Sequence, residues 1–485
     1  MVIKEIVKKH DLLSLETKLE FPVKKESKKA DNFDFDMFLF LPYGLDINKH
    51  NFTQEDFYNS LKTHIRLSTP FYKLHKLIDG ESSPYAKLQQ SISEYVSLSN
   101  DKTLLEYEKQ LKLFCSIFKA ALRFETNKIL RSRSEERRLQ LVYDYKKNIK
   151  KSRGYFKNLF LQLNSLSHGE KAQSVFHYAD EYQSLLVEKH TASLIKSVSK
   201  KSKIAITIHE VLSNIVIAEM DYRLEKNYLS VGVKKIKSID LLHRSARLKK
   251  FIESNLYLNT DTKKEGVIVE QLLFSIAAGI AMVFATVVAF ASQMLYGSLS
   301  LPFFIALVIG YMFKDRIKEL VRLYLGKKHR KIIYDFKTKI YSQDKKKIGS
   351  LKESFGFDKY SLLSKKILDQ RNKMRVTEIT EESLGEKIIH YRTKVKIRKK
   401  SKAYSDFSGL TQIMRFNISD FTKKMDDPEK EVLLRTKNGF KRVFSDRVYH
   451  LNLILTYSDN KDFMINSYKI FTNRRGISRI EMFKN

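Results

Sequence analysis

The chain changes its hydrophobic period along its length. In DKTLLEYEKQLKLFCSIFKAAL, Leu104, Tyr107, Leu111, Phe114 and Phe118 recur at steps of three and four, one face of a helix. Similar periodicity over residues 132–165, 170–198 and 204–228, inside a proline-free stretch from Tyr85 to Leu301, predicts further long helices. Gly154, Ser167-His168-Gly169 and residues 200–203 interrupt the pattern and divide it into antiparallel members of a bundle or hairpin stalk. From about Glu386 the period becomes two. In KIIHYRTKVKIRKK, Ile389, Tyr391, Thr393, Val395 and Ile397 alternate with His390, Arg392, Lys394, Lys396 and Arg398, which predicts a half-buried strand with a basic outer face. Asn438-Gly439 marks a hairpin, VYHLNLILTY an inner strand, and 473–476 a last hairpin turn. Near the amino end, NFDFDMFLFLP predicts a strand stopped by Pro42, and TQEDFYNSLKTHIR a helix capped by Thr53 with Asp56 three residues on.

One stretch has no polar phase. LLFSIAAGIAMVFATVVAFASQM, residues 272–294, carries no charge. As a helix it would rise about 34 Å, against about 30 Å of bilayer hydrocarbon. A second apolar run, SLSLPFFIALVIGYMF (298–313), follows after Leu295-Tyr296-Gly297, with Ser300 and Pro302 placed to start a helix. Two spans are expected, the second completed by Lys314 and Arg316 reaching back to the interface; a re-entrant half-helix is the rival. Lys and Arg number nine in 231–266 and thirteen in 314–347, and the link between the runs has none. That bias places both termini on the cytoplasmic side of the cell (inner) membrane. Ala277, Ala281, Ala285 and Ala289 form a small-residue stripe, answered by Ala306 and Gly310. The stripe suits packing of the two helices on each other, with a homo-oligomer as its further use. No ionisable residue lies inside either run, which argues against an ion path.

Together these patterns predict a membrane-anchored α+β protein. Its expected parts are a small α/β unit (1–100), a long-helix bundle (101–260), a two-span transmembrane helical hairpin (268–313), a basic juxtamembrane helical segment (314–372) and an antiparallel β-rich carboxyl-terminal domain (386–485) of about six strands.

Composition changes this picture in one respect. The formal net charge is +35 over 485 residues. A bias toward Lys, Ile, Asn, Phe and Tyr accounts for part of it; the rest is clustered. Arg316, Lys318, Arg322, Lys327, Lys328, Arg330 and Lys331 crowd one side of an amphipathic pattern that continues from the second apolar run. Such a helix favours anionic headgroups at about 1 kcal/mol per basic residue. Arg392, Lys394, Lys396 and Arg398 form the second cluster, suited to lipid headgroups or to a nucleic-acid backbone. The amino terminus has no apolar segment of the secretory kind. The single cysteine, Cys115, sits in an apolar helical pattern and reads as a buried structural thiol. No phosphate-binding glycine loop, nucleophile elbow, kinase set or zinc-protease motif is present. The nearest metal-like grouping is His177, Asp180, Glu181 and His190 with His209, Glu210 and Glu219, which lacks the paired Glu-x-x-His pattern of helical metal sites. No cofactor, metal or catalytic residue is expected. The reading is a membrane-anchored scaffold or sensor with an unidentified cytoplasmic protein partner; the alternative is a membrane-tethered nucleic-acid binder serving host defence or chromosome anchoring.

Overall fold

The computed structural model describes residues 4–23, 31–164, 169–198, 202–229, 238–297, 300–330, 334–374, 385–398, 406–437, 439–459 and 463–483. It mixes helix with antiparallel sheet. The chain forms two compact units. One combines residues 1–65, 258–403 and 411–485; the other comprises 66–257 and 404–410. The first unit opens with β1 (Lys4–Lys9), β2 (Ser14–Pro22), β3 (Asp31–Leu41), α1 (Gln54–Ser60) and the beginning of β4 (Leu61–Ser68).

The second unit is helical: α2 (Pro84–Leu98), α3 (Asp101–Leu130), α4 (Glu135–Asn164), α5 (Glu170–Ser197), α6 (Lys203–Glu225) and α7 (Ser238–Glu253). Its starts obey local chemistry. Ser83 accepts the Ala86 amide ahead of Pro84, Asn100 and Thr103 form a reciprocal capping box, and Ser202 accepts the Ala205 amide. Gly154 interrupts nothing: α4 runs through it. The helix needs no side chain there, and the about 1 kcal/mol intrinsic penalty of glycine is outweighed by burial of Tyr145, Ile149, Phe156 and Leu159 on one face. Phe114, Phe156 and Phe176 stack through the bundle at centroid distances of 5.6 and 4.6 Å. Cys115 is buried beside them.

The first unit returns after the bundle with β5 (Asn259–Lys264), α8 (Val267–Tyr296), α9 (Leu301–Arg330), β6 (Phe336–Tyr341), β7 (Lys347–Asp358), α10 (Lys365–Lys373), β8 (Lys387–Ile397), β9 (Gly409–Asn417), the single turn α11 (Ser419–Thr422), β10 (Glu429–Thr436), β11 (Gly439–Asp446), β12 (Tyr449–Asp459), β13 (Phe463–Asn473) and β14 (Gly476–Phe483). An eight-stranded sheet has the order β14-β13-β12-β3-β8-β7-β6-β5, a four-stranded sheet the order β1-β2-β9-β4, and β10 and β11 pair alone. One face of the large sheet packs on the smaller sheet and α1: Phe57 stacks on Phe355 at 4.3 Å and lies 5.3 Å from Tyr391 and 5.5 Å from Phe416. One end of the opposite face is covered by α10, through Ile367 and Met374 on Phe38, Phe40, Ile388 and Ile454. Arg371 of α10 is clasped by Glu386 at 2.8 Å, both side chains almost fully buried.

Several expected boundaries differ. Residues 1–100 are not a separate unit: β3 lies between β12 and β8 in the middle of the large sheet, because its alternating Phe33, Phe35, Met37 and Leu39 bury one face against partners more than three hundred residues away. Thr53 does cap α1 with Asp56, but the helix stops at Ser60 and the expected continuation is strand β4. The segment 314–372 is not helical throughout; β6 and β7 occupy much of it. Among the described residues the strands from β8 onward number seven and are divided among three sheets, two of which also take strands from earlier in the chain.

Helices α8 and α9 form an antiparallel hairpin joined at Gly297, whose φ of 72° suits glycine. Ala277 and Ala281 are fully buried in it, Ala285, Ala289 and Ala306 half-buried. A Cβ on Gly310 would stand 2.9 Å from Val288 Cγ1, so the backbones meet closely there. Arg322 lies over the Phe274 ring at 3.9 Å, which sets the register further down. Among the described residues α8 alone is long and apolar enough to cross a membrane, over Val269–Tyr296; charges beginning at Lys314 remove α9 from that class.

A candidate anion-binding face

The strand period of two puts every second side chain of β5–β8 on the face not buried by the smaller sheet. The register aligns those positions. Lys263 stands opposite Lys337, Lys337 opposite Lys352, Lys352 opposite Lys394, and Lys394 opposite Asp34. The next row is Asp261, Lys339, Ser350, Lys396 and Asn32. Beyond it Arg398 donates its backbone amide to Ile348 at 2.8 Å, beside Lys347. Like charges directly opposite one another destabilise a sheet, so this arrangement opposes folding unless counter-charge is supplied. Part of it is internal. Glu265 bridges Lys352 at 2.5 Å and Lys337 at 3.7 Å, and Asp34 meets Lys394 at 3.4 Å. Arg392 donates to Ser354 Oγ at 3.1 Å and lies over Tyr334. His390 is held between Asp36 at 3.1 Å and Asp358 at 2.7 Å and stacks on Phe38 at 4.2 Å. Burial opposes its charge, but the two carboxylates outweigh burial and raise its pKa above the usual value.

Lys339, Lys347, Lys396 and Arg398 have no acidic side chain within 4.0 Å among the described residues. Partial desolvation, then Arg398, Lys339, Lys337 and Lys396, draw the Lys347 pKa below its ordinary value. A hollow of about 330 Å³ opens here, lined by Lys337, Lys347, Gly349, Ser350, Lys352, Lys396 and Arg398. The Gly349 backbone forms part of its floor; its cross-strand partners are the buried Ile340 and Ile397, and a Cβ there would fall 2.8 Å from the Lys396 carbonyl oxygen.

The structure therefore brings Arg392, Lys394, Lys396 and Arg398 together on one face and adds cations that sequence reasoning missed: Lys263, Lys337, Lys339, Lys347 and Lys352. The missed signal is the alternation in FKTKIY, where buried Thr338 and Ile340 alternate with Lys337 and Lys339. The other cluster is divided. Arg316, Lys318 and Arg322 are exposed along α9. Lys327, Lys328 and Arg330 belong to the last turn of α9, but their side chains, and Lys331 altogether, lie outside the described residues.

The metal-like grouping in the helical unit is engaged with cations and hydroxyls. Arg153 donates to Asp180 at 2.6 Å and to both Glu219 oxygens at 3.4 Å. Tyr222 and Tyr228 donate to the other Asp180 oxygen at 2.6 and 3.2 Å, Arg244 donates to Glu181 at 2.7 Å, and His177 Nδ1 meets the Tyr228 hydroxyl at 2.9 Å. No group of three metal-ligand side chains converges among the described residues.

The chain matches no protein-family model, no curated protein and no solved structure.

Proposed function

We propose that this protein is a membrane-anchored scaffold or sensor, held by the α8–α9 hairpin, whose cationic sheet face lies against anionic headgroups. One observation carries this reading. Glu265 and Gly266 alone separate β5 from α8, and β6 begins at Phe336 after α9 ends at Arg330. The row Lys263–Lys337–Lys352–Lys394 thus starts within a few residues of the apolar hairpin. Surface lysines and arginines at such a distance contribute about 1 kcal/mol each toward anionic lipid. The basic flanks of 231–266 and 314–347 favour a cytoplasmic location for both units and both termini at the inner membrane, and the exposed apolar side chains of α8, such as Ile276, Val283 and Phe290, suit contact with lipid. In the finer form of this reading both helices of the hairpin enter the bilayer. The helical unit would then supply the surface for an unidentified cytoplasmic protein partner.

Membrane fractions washed with alkaline carbonate test the anchor, and reporters fused at either terminus test the orientation. Retention in the pellet with both reporters active on the cytoplasmic side is expected. Release into the supernatant, or a reporter after Asn485 active only on the far side, refutes the reading.

A further inference from the structure

We infer that the hollow between β6, β7 and β8 is a binding site for a compact anion bearing two phosphate groups, as a phosphorylated lipid headgroup or a soluble phosphate compound. The inference deepens the reading of the cationic face given above.

A coat that merely attracts a charged surface needs cations at any spacing on a flat or convex surface. Here three neighbouring strands, about 4.8 Å apart, aim their cations into a concavity. Lys337, Lys347, Lys352, Lys396 and Arg398 line it, and the floor is a glycine and a serine. Gly349 keeps β7 close to the Lys396 carbonyl, and its backbone closes the bottom of the hollow. The Ser350 hydroxyl adds a neutral donor at the same floor.

The charge fixes the class of ligand. Five cations line the hollow and one carboxylate, Glu265, offsets part of their charge through Lys337 and Lys352. A phosphate monoester carries about −1.5 to −2 charges near neutral pH, so two such groups neutralise what remains, and one does not. Arg398 offers the planar fork that fits phosphate oxygens, and the lysines supply point charges around it. The members with no acidic partner among the described residues, Lys347, Lys396 and Arg398, lie one or more register positions from the Lys337–Lys352 pair that Glu265 bridges. The site therefore has a neutralised edge and an open one, which orients a ligand with two unequal ends. A nucleic-acid strand would instead need cations continuing along a track. Beyond Arg392 this face passes to the paired His390 and then to the apolar cover of α10.

The test uses the full chain in neutral nanodiscs. Isothermal titration with pyrophosphate reads the soluble source. Incorporating a lipid with a bisphosphorylated headgroup, against phosphatidylserine at equal total charge, reads the lipid source. Pyrophosphate or the bisphosphorylated lipid should bind with a Kd well under about 1 mM, and inorganic phosphate more weakly. Lys347→Glu and Arg398→Glu should each weaken binding about tenfold or more. Lys430→Glu and Lys441→Glu, on the exposed β10–β11 hairpin, should leave it unchanged, and circular dichroism of all four variants should match the parent. Absence of binding by both probes, equal weakening by the β10–β11 variants, or displacement of pyrophosphate by an oligonucleotide of equal phosphate concentration with a stronger effect overturns the inference. Pyrophosphate reaches the hollow from solution and reads the hollow alone, whereas carbonate extraction reads the anchor, so the two failures are distinct.

Discussion

Replacing Arg153 with methionine should unfold the helical unit at a markedly lower temperature, and acid should restore it. Arg153 leaves α4 with its side chain 4% exposed, and the side chains of Asp180 and Glu219 that face it are 4% and 11% exposed. Burial opposes the guanidinium's charge, yet Asp180 and Glu219 hold its pKa above the usual value. Arg153→Met fills a similar volume but leaves two carboxylates with no cation in bonding range. Removing one partner of a buried ion pair costs about 3–5 kcal/mol. For a unit of this size each kcal/mol shifts Tm by about 2–4 °C, so a fall of about 6–20 °C follows. The pH response has a definite sign. Burial without a cation disfavours the charged form of a carboxylate, so the variant's folded state gains stability as pH falls. The Tm difference from the parent should shrink at pH 5 and widen at pH 8. The triple variant Arg153→Met, Asp180→Asn, Glu219→Gln should recover most of the loss, since neutral groups need no counter-charge. Helical ellipticity during heating follows this unit most strongly, because α2–α7 supply much of the chain's helix. A Tm change under about 2 °C, or one equal at the two pH values, refutes the reasoning.

Three further outcomes follow from particular side chains. Cys115, the chain's one thiol, is buried and its pKa is pushed up to about 12 by that burial; a maleimide should label it only as fast as the helical unit opens, and fast labelling of native protein would contradict its place in the core. Gly349→Val should cost the sheet unit about 1–3 kcal/mol, because the added Cβ meets backbone at 2.8 Å rather than a yielding side chain; an unchanged melting curve sinks that estimate. Two half-buried histidines, His390 and His190, should respond to pH with opposite sign. His390 has a raised pKa, so its contribution is complete below pH 6.5 and fades as pH rises through the raised value, making His390→Gln most damaging in mild acid. His190, lowered to about 4 first by burial and then by Lys189, Lys119 and Arg123, costs the parent stability as pH falls from 6.5 toward 4; His190→Asn should flatten that decline, and an unaltered acid limb counts against it.

Local signals carried much of the helical unit. The periodicity of residues 170–198 and 204–228 lies within a few residues of α5 and α6; Ser202 caps α6, whereas α5 begins after Gly169 with no side-chain cap. The alternation over 387–397 marked β8. What local reasoning could not supply was partnership. Asp34 and Asp36 look like a solvated edge until β3 is set beside β8, where they neutralise Lys394 and His390. The hollow was illegible for a related cause: Lys396 is far in sequence from Lys337 and Lys347 and joins them only through register. β6 and β7 were hidden by a basic helix immediately before them, whose composition resembles theirs.

On the proposed reading, in which both helices of the hairpin enter the bilayer, the unequal lengths of their apolar stretches bear on the shape of the lipid around them. From Leu301 to Lys314 the apolar part of α9 rises about 20 Å, whereas 272–294 of α8 rises about 34 Å. With Gly310 against Val288 and Arg322 against Phe274, the cations of α9 run beside the lower portion of α8, where Leu272, Ile276 and Ile280 still face outward. A leaflet of uniform thickness satisfies one helix or the other. Lipid bordering such a pair must slope, thinner along the α9 flank, and each ångström of that deformation costs a fraction of a kcal/mol. Short-chain or strongly curved bilayers supply the slope in advance, so an anchor built this way would gather where the membrane is already thin or bent.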